Sequence, residues 1–224
     1  MNDTAVQGKR RKLIPEMEGP MARWYAKQRG SASQLAAYRR QAGELIAGLP
    51  AGAEVLEVAP GPGYLAVEIA RLGFAVAALD VSRTMVQITG ENARKAGLRI
   101  DVRNGDAAAM PFGDSSFDLV VCQAAFKNFV APVAALDEMH RVLRPGCRAV
   151  IQDMNHDATH DDIAREVAAM RLSRFNALVT RSTLEFLRRR AYARADFEKV
   201  AGASQFAGSD IRTDGIGIEV RLTK

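Results

Sequence analysis

Three acidic side chains, Glu57, Asp80 and Asp106, stand at or near the ends of apolar segments in the first half of the chain. The segment that holds Glu57 runs directly into a turn of two glycines and two prolines at 59–63, and a helix-like sequence follows. Such a turn lets a ligand approach the backbone and aims the amides of a helix N-terminus at it. Asp80 lies near the offset of roughly 20 residues at which a carboxylate receives ribose hydroxyls, so we expect a ligand with a ribose.

Two classes of cofactor satisfy this arrangement. The residues "GPGYLA" formally match the dinucleotide pattern G-x-G-x-x-A, so a nicotinamide- or flavin-dependent enzyme is one alternative. Glu57 places a carboxylate where a dinucleotide site would hold pyrophosphate, whereas the ammonium of an amino-acid group would be stabilised there. Asp106 follows the third apolar segment, where it can accept a hydrogen bond from an adenine amino group.

The elements that must position these residues alternate between strand and helix. Ser31 or Ser33 can cap one helix, and Ser82 can cap another that runs to Gly97. Continuous apolar strands alternating with helices predict an α/β fold in which a doubly wound parallel sheet is covered on both faces. The segment from 157 to about 192 is predicted to be all helix, and two short closing strands could pair antiparallel. Strands are predicted at 54–58, 74–80, 99–104, 117–123 and 148–154.

Four ordered segments resemble the class I S-adenosylmethionine-dependent methyltransferases, in the group of the ubiquinone/menaquinone C-methyltransferases and many natural-product methyltransferases. They are "VLEVAPGPGYLAVEIA", "LDVS", "GDAAAMPFGDSSFDLVVCQAAF" and "LDEMHRVLRPGCRAVIQDM". The resemblance is strong over roughly residues 50–155 and looser in the C-terminal segment. It implies a Rossmann-like, seven-stranded sheet, mostly parallel with an antiparallel last strand, and S-adenosyl-L-methionine as cofactor, with S-adenosyl-L-homocysteine as product.

The resemblance also implies which residues bind the cofactor. Ala59 stands where the family usually has a glycine, and an alanine is tolerated there if its φ stays negative. The prolines beside Gly61 stiffen the turn. The methionine part would contact Glu57, Ala59, Pro60, Gly61 and Gly63, the ribose Asp80, the adenine Val81, Met85, Asp106 and Ala107, and the region near the sulfonium Gln123.

A sulfonium is an activated methyl donor, so catalysis requires mainly alignment, exclusion of water and, for some acceptors, removal of a proton. His156 or Asp153 is the predicted general base, and Lys127 and Tyr25 complete the predicted catalytic set. A solvated turn residue is the competing interpretation of His156, and a solvent-exposed amine that of Lys127. Further predicted acceptor contacts are Gln123, Phe126, Asn128, Asn155 and Trp24.

The chain divides into four predicted regions. Residues 1–49 form a leader and helix that could act as a lid, and residues 50–155 form the cofactor-binding core. Residues 156–192 form a helical insert that caps the acceptor site, and residues 193–224 add a C-terminal helix and strands that complete the core. The segment "DMNHDATHDD" offers metal-type ligands, but acids ahead of a helix are explained by capping and dipole complementarity, so no metal is predicted.

Composition excludes some classes of protein. No apolar run approaches the ~20 residues of a membrane span and no secretory h-region is present, so we expect a cytoplasmic protein without a membrane partner. The net charge of +5 comes mostly from scattered arginines, so no nucleic-acid partner is expected, and both cysteines are predicted to be reduced. The predicted function is methyl transfer by in-line displacement to a small-molecule acceptor, with specialised metabolism as the expected setting. Cyclisation chemistry on the same cofactor, a nicotinamide-dependent oxidoreductase and an inactive binding module stay open, as does a homodimer.

Overall fold

Seven strands form one sheet in the computed structural model, which describes residues 16–224. Helices precede, connect and follow these strands. The strands are β1 (Glu54–Val58), β2 (Ala75–Asp80), β3 (Asp101–Asn104), β4 (Phe117–Gln123), β5 (Leu143–Met154), β6 (Ser209–Asp214) and β7 (Gly217–Thr223). The helices are α1 (Gly19–Arg29), α2 (Ala32–Ile46), α3 (Tyr64–Arg71), α4 (Arg83–Lys95), α5 (Pro132–Val142), α6 (His160–Ala169), α7 (Arg174–Arg188) and α8 (Arg194–Gly202).

The strand order is β3-β2-β1-β4-β5-β7-β6. The first five strands pair in parallel, and β7 runs antiparallel to both of its neighbours, β5 and β6. The predicted doubly wound, mostly parallel sheet with an antiparallel last strand is confirmed. The order reverses between β1 and β4, and ligands of open α/β sheets bind at the carboxyl ends of the strands on either side of such a reversal.

Alternation of side chains along the central strands separates two apolar cores. Leu56 and Val120 face one core, where α5 and α8 pack. Val55 and Leu119 face the other, where α2 and α3 pack. Because both faces of the sheet are covered, the central strands β1, β2 and β4 are rich in buried apolar residues, which is why the sequence predicted them.

Local signals located most element boundaries. Ser31 caps α2 and Ser82 caps α4, as predicted, through hydrogen bonds to Gln34 N and Met85 N. The predicted all-helical segment from 157 to 192 consists of two helices, α6 and α7, separated at Arg171, whose φ is 49°. The predicted polar start at residues 1–12 lies outside the described residues. Among residues 16–224, none of the helices combines the length and apolar character needed to cross a bilayer.

Candidate cofactor and acceptor site

The turn between β1 and α3 is built on two left-handed glycines, Gly61 (φ 56°) and Gly63 (φ 73°). A Cβ on Gly63 would lie 2.4 Å from the Thr89 side chain, so only glycine allows α4 to approach this closely. Thr89 Oγ1 donates to the Gly61 carbonyl at 2.8 Å, and Asn92 Nδ2 donates to the Pro62 carbonyl at 2.9 Å. Helix α4 therefore packs against one side of the turn, and the opposite side stays open to a ligand.

Ala59 does not meet the condition under which we expected an alanine to be tolerated. Its φ is +55°, in the left-handed region that costs a non-glycine residue about 1–2 kcal/mol. The residue is held there because its backbone N–H donates to the Leu79 carbonyl at 2.7 Å. The turn thus keeps the conformation that glycine would adopt, at the expense of backbone strain.

Two adjoining cavities lie in front of this turn. The larger, called here the cofactor cavity, measures about 190 Å³, and the smaller, called the outer cavity, about 140 Å³. They share Ala59, Val81 and Asn128, so an elongated ligand can extend through both. Predicted residues that line the cofactor cavity are Tyr25, Glu57, Ala59, Pro60, Gly61, Asp80, Val81, Met85 and Gln123. Those in the outer cavity are Ala59, Val81, Asp106 and Ala107.

Two predicted assignments differ in detail from this arrangement. Gly63 lines neither cavity, because it faces Thr89. Its structural role is to allow helix α4 to pack closely against the turn. Met85 lines the cofactor cavity rather than the outer cavity that contains Asp106 and Ala107. Ser82, between the two predicted contacts Val81 and Met85, also lines the cofactor cavity.

Glu57 is a buried carboxyl group with one vacant hydrogen-bonding position. Its side chain is 2% exposed, and Oε2 has no hydrogen-bond partner among the described residues. Burial, with the nearby charge of Asp80 adding to it, raises the pKa of Glu57 to about 8 from its ordinary value of 4.5. A cation bound against this carboxylate would stabilise its ionised form and so oppose that shift.

Asp80 lies at the end of β2 and holds the turn in place. Its Oδ2 accepts from Gly61 N at 3.1 Å and its Oδ1 from Ser82 N at 2.9 Å. Burial raises the pKa of Asp80 to about 6, although both backbone hydrogen bonds oppose the shift. The carboxylate is thereby fixed at the wall of the cofactor cavity, as predicted for a ribose contact.

Sequence reasoning missed Arg29, which lines the same cavity from the end of α1. Its Nη2 donates to the Tyr38 hydroxyl at 2.9 Å, while its buried Nε has no partner among the described residues. The cavity therefore contains an unsatisfied donor on a cation and, at Glu57, an unsatisfied acceptor on an acid. No local motif marks Arg29, because helix α1 reaches the site only through tertiary packing.

The leader is tied across the cavity by contacts with the N-terminus of α4. The Glu18 carboxylate accepts hydrogen bonds from the Thr84 hydroxyl, from Arg83 N at 2.8 Å and from Thr84 N at 3.0 Å. These bonds, first of all the one from the Thr84 hydroxyl, lower the pKa of Glu18. Ser82 Oγ donates to the Met17 carbonyl at 2.8 Å. On the other side, Tyr64 Oη donates to the Ala26 carbonyl at 2.9 Å.

A cleft of about 480 Å³ adjoins the cofactor cavity through Gln123 and Ala124. It lies over the carboxyl ends of β4 and β5 and beside the hairpin of β6 and β7. We call it the acceptor cleft, and most of the residues that line it have polar or charged side chains. The lining residues are Gln41, Gln123, Ala124, Gln152, Asp153, Arg212, Thr213, Asp214, Gly217, Ile218 and Glu219.

Four side chains in the acceptor cleft form one directed chain of hydrogen bonds, called here the amide chain. Gln123 Nε2 donates to Gln41 Oε1 at 2.7 Å, Gln41 Nε2 donates to Gln152 Oε1, and Gln152 Nε2 donates to Glu219 Oε2 at 2.7 Å. A carboxylate only accepts, so Glu219 fixes the orientation of all three amides. Gln123 consequently keeps its carbonyl Oε1 for a ligand at the junction with the cofactor cavity.

Two residues of the predicted catalytic set are engaged with each other. Lys127 Nζ lies 2.7 Å from Asp153 Oδ1, and the two side chains are 8% and 2% exposed. Asp153 Oδ2 also accepts from Lys127 N at 3.1 Å. Asp153 also lines the acceptor cleft, and its role as a general base stays a prediction.

The remaining acceptor candidates are distributed more widely. The His156 side chain is 48% exposed and lies outside the lining of the acceptor cleft, although its role as a base stays a prediction. Phe126 is fully buried and stacks on Phe197, so it belongs to the core. Trp24 is 62% exposed on α1. Residues 156–192, predicted to cap the acceptor site, contribute nothing to the lining of this cleft, whose outer wall is the β6–β7 hairpin.

The acidic segment after β5 has a structural explanation. Thr159 and Asp162 form a capping box at the start of α6. His160 Nδ1 contacts Glu185 on α7. Among residues 16–224, no three metal-ligating side chains converge on a common point.

Comparison with known proteins agrees with this geometry. Residues 56–151 match the family described as a methyltransferase domain. The demethylmenaquinone methyltransferase of Renibacterium salmoninarum is 37% identical over 126 residues, which cover 56% of this chain and 51% of that protein. The one of Tropheryma whipplei (strain Twist) is 32% identical over 157 residues, or 69% of this chain and 64% of the relative. The chain thus spans between half and two thirds of these curated relatives.

A solved structure shares the fold over nearly the whole chain. The S-adenosylmethionine-dependent methyltransferase from Aquifex aeolicus superposes with a TM-score of 0.67 at 20% identity, covering 89% of this chain and 96% of that one. At this identity the likeness concerns the fold alone.

Proposed function

We propose that this chain is a class I S-adenosylmethionine-dependent methyltransferase and that it transfers a methyl group from this cofactor to a small molecule bound in the acceptor cleft. The observation that carries the proposal is the buried, unpartnered carboxyl oxygen of Glu57 facing the cofactor cavity. A buried polar atom without a partner is uncommon in a native protein and points to a ligand group. An ammonium group satisfies it and stabilises the carboxylate form, whereas the pyrophosphate of a dinucleotide has no donor for this oxygen and would oppose its ionisation.

The residues of the cofactor cavity fit both charges of an amino-acid group. Glu57 would accept from the ammonium, and Arg29 Nε would donate to the carboxylate. Asp80 would accept from the ribose, and Asp106, in the outer cavity, from the adenine amino group. Bound in this way, S-adenosylmethionine supplies an activated methyl group on a sulfonium.

The chain's own residues would then align the acceptor and exclude water. Gln123 borders both the cofactor cavity and the acceptor cleft, so it marks where the two ligands would meet. Its Oε1, oriented by the amide chain, can accept from a hydroxyl or amine on the acceptor and hold the nucleophilic atom in line. Tyr25, on the tied leader, closes the opposite side of the cofactor cavity.

Demethylmenaquinone, as named in the curated relatives, is one candidate acceptor. The acceptor cleft is lined by amides, carboxylates and Arg212, so we propose that the reacting part of the acceptor is polar. A hydroquinone or phenol, which carries a hydrogen-bond donor on a ring, matches the carbonyl offered by Gln123.

Calorimetric titration tests the cofactor assignment. Titrating the protein with S-adenosylhomocysteine and S-adenosylmethionine should show saturable binding, and NADH should not bind. Asp80→Ala should abolish binding, whereas Asp101→Ala, an exposed acid on the neighbouring strand β3, should leave it unchanged. Saturable binding of NADH without binding of the two sulfur compounds would contradict the proposal.

A further inference from the structure

Helix α7 carries an apolar surface that nothing in the described chain covers. None of its residues is buried, and Phe175, Leu178, Val179 and Phe186 are 74%, 64%, 49% and 55% exposed. Their spacing of i, i+3, i+4 and i+11 places them on one face of the helix. Leu172, just ahead of the helix, is 39% exposed and extends the apolar segment. We call these five residues the α7 stripe.

The α7 stripe is not the face by which the helix packs on the protein. The partly buried positions Ala177, Leu184 and Leu187 lie on the opposite side of α7. That side meets α6, where Glu185 contacts His160 and Arg188 donates to the Ala158 carbonyl at 3.2 Å. Helix α7 is therefore apolar on two faces, and only one of them packs against other residues of the described range 16–224.

Arginines border the α7 stripe without acidic partners. They are Arg171, Arg174, Arg181, Arg189 and Arg190. Among residues 16–224, no carboxylate lies within ion-pair distance of these five, while the acids of this region pair with other residues, as Glu185 does with Arg188 and Asp162 with Arg165. Arg190 lies over the ring of Phe186, with its guanidinium carbon 5.7 Å from the ring centroid. Cations without carboxylate partners beside exposed phenylalanines match a partner surface that is both anionic and apolar.

The geometry points to an anionic lipid surface as the partner of the α7 stripe. An amphipathic helix with large apolar side chains on one face and arginines at its borders lies in the interface of a bilayer, with its apolar face inserted and its cations at lipid phosphates. A second copy of the chain fits less well, because a two-fold contact through this face would bring the two sets of arginines together. The surface of a helix is convex, which suits insertion into lipid better than docking of a peptide.

Vesicle sedimentation of the full-length protein tests the inference. With vesicles of phosphatidylcholine containing about a third phosphatidylglycerol, the protein should sediment in a salt-sensitive way, and with pure phosphatidylcholine it should stay in solution. F175S/F186S should weaken binding by at least about tenfold. R174Q/R181Q should weaken it by about 30-fold, since each arginine near an anionic surface contributes roughly a factor of five.

Matched controls separate this surface from general effects of charge or apolar exposure. L72S removes an apolar side chain that is 47% exposed on another helix, and R40Q/R94Q removes two exposed arginines elsewhere; both should bind vesicles as the unmodified protein does. Circular dichroism would show that all variants fold. Equal loss in the control variants, or no sedimentation of the unmodified protein, would overturn the inference. A dimer in light scattering that becomes monomeric in F175S/F186S would assign the stripe to contact between copies instead.

Discussion

Glu57 should release a proton when the cofactor binds. With a pKa of about 8, roughly nine tenths of the Glu57 side chains are protonated at pH 7 in the free protein. An ammonium placed against Oε2 stabilises the carboxylate and lowers this pKa. Binding of S-adenosylhomocysteine at pH 7 should therefore release about 0.9 proton from Glu57. Asp80, with a pKa of about 6, contributes at most about 0.1.

Calorimetry in two buffers measures this release directly. The observed binding enthalpy changes with the ionisation enthalpy of the buffer, and the slope gives the number of protons exchanged. The unmodified protein should release close to one proton at pH 7, where the ligand amine is fully protonated. Glu57→Gln should release about 0.1 proton or less at the same pH. It should also bind at least about 30-fold more weakly, because one partner of a buried charged hydrogen bond is lost.

The Glu57 carboxyl group also makes the free energy of unfolding depend on pH. Between its ordinary value of 4.5 and about 8, the folded state keeps the Glu57 proton while the unfolded state releases it. The unfolded state then binds fewer protons, so unfolding free energy falls as pH rises through this window, by up to roughly 5 kcal/mol. Glu57→Gln removes this loss and should melt at a higher temperature than the unmodified protein above about pH 8, but near the same temperature at about pH 5.

Two results would refute this reasoning about Glu57. One is a proton release at pH 7 that is the same in the unmodified protein and in Glu57→Gln. The other is a melting-temperature difference between the two proteins that does not change between pH 5 and pH 8. Either would mean that Glu57 is ionised in the free protein and that its Oε2 has a partner.

Three further substitutions test residues of the cofactor cavity and of the acceptor cleft. Arg29→Met should weaken S-adenosylhomocysteine by about tenfold or more in calorimetry but leave its decarboxylated analogue unchanged, since only the former has the carboxylate that Arg29 would bind; equal weakening of both would contradict that role. Ala59→Gly should raise the melting temperature by about 1–2 °C, because relief of left-handed strain slightly exceeds the entropy that glycine adds to the unfolded chain; a lower melting temperature would contradict the strain. Glu219→Gln should lower kcat/KM for the acceptor about tenfold, because a glutamine permits the reversed amide chain, in which Gln123 no longer offers Oε1. Cofactor affinity should be unchanged in Glu219→Gln, and a change in cofactor affinity alone would place Glu219 outside the acceptor site.

Local sequence determined the scaffold and the front of the cofactor site. Strands β1 and β4 are buried at most positions because both faces of the sheet are covered, so apolar residues dominate their centres and their bounds could be predicted from the sequence. Ser82 caps α4 because its Oγ accepts a hydrogen bond from Met85 N, three residues further along the chain. The start of this helix therefore depends on local sequence. Glu57 and Asp80 were found because a parallel sheet brings the carboxyl ends of its strands to one edge, whatever the rest of the chain does.

Tertiary structure decided the parts that join distant segments. Arg29 reaches the cofactor cavity only because α1 is anchored on α4, and the amide chain unites Gln41 with Glu219 across most of the sequence. Lys127 and Asp153 were predicted as separate catalytic groups, yet the sheet brings them together as a buried ion pair. Ala59 takes a left-handed φ against its own preference because the Leu79 carbonyl on the neighbouring strand and the fixed turn outweigh a local cost of about 1–2 kcal/mol. Contacts between distant segments depend on the packing of the whole chain, which leaves no periodic signal near the residues that make them.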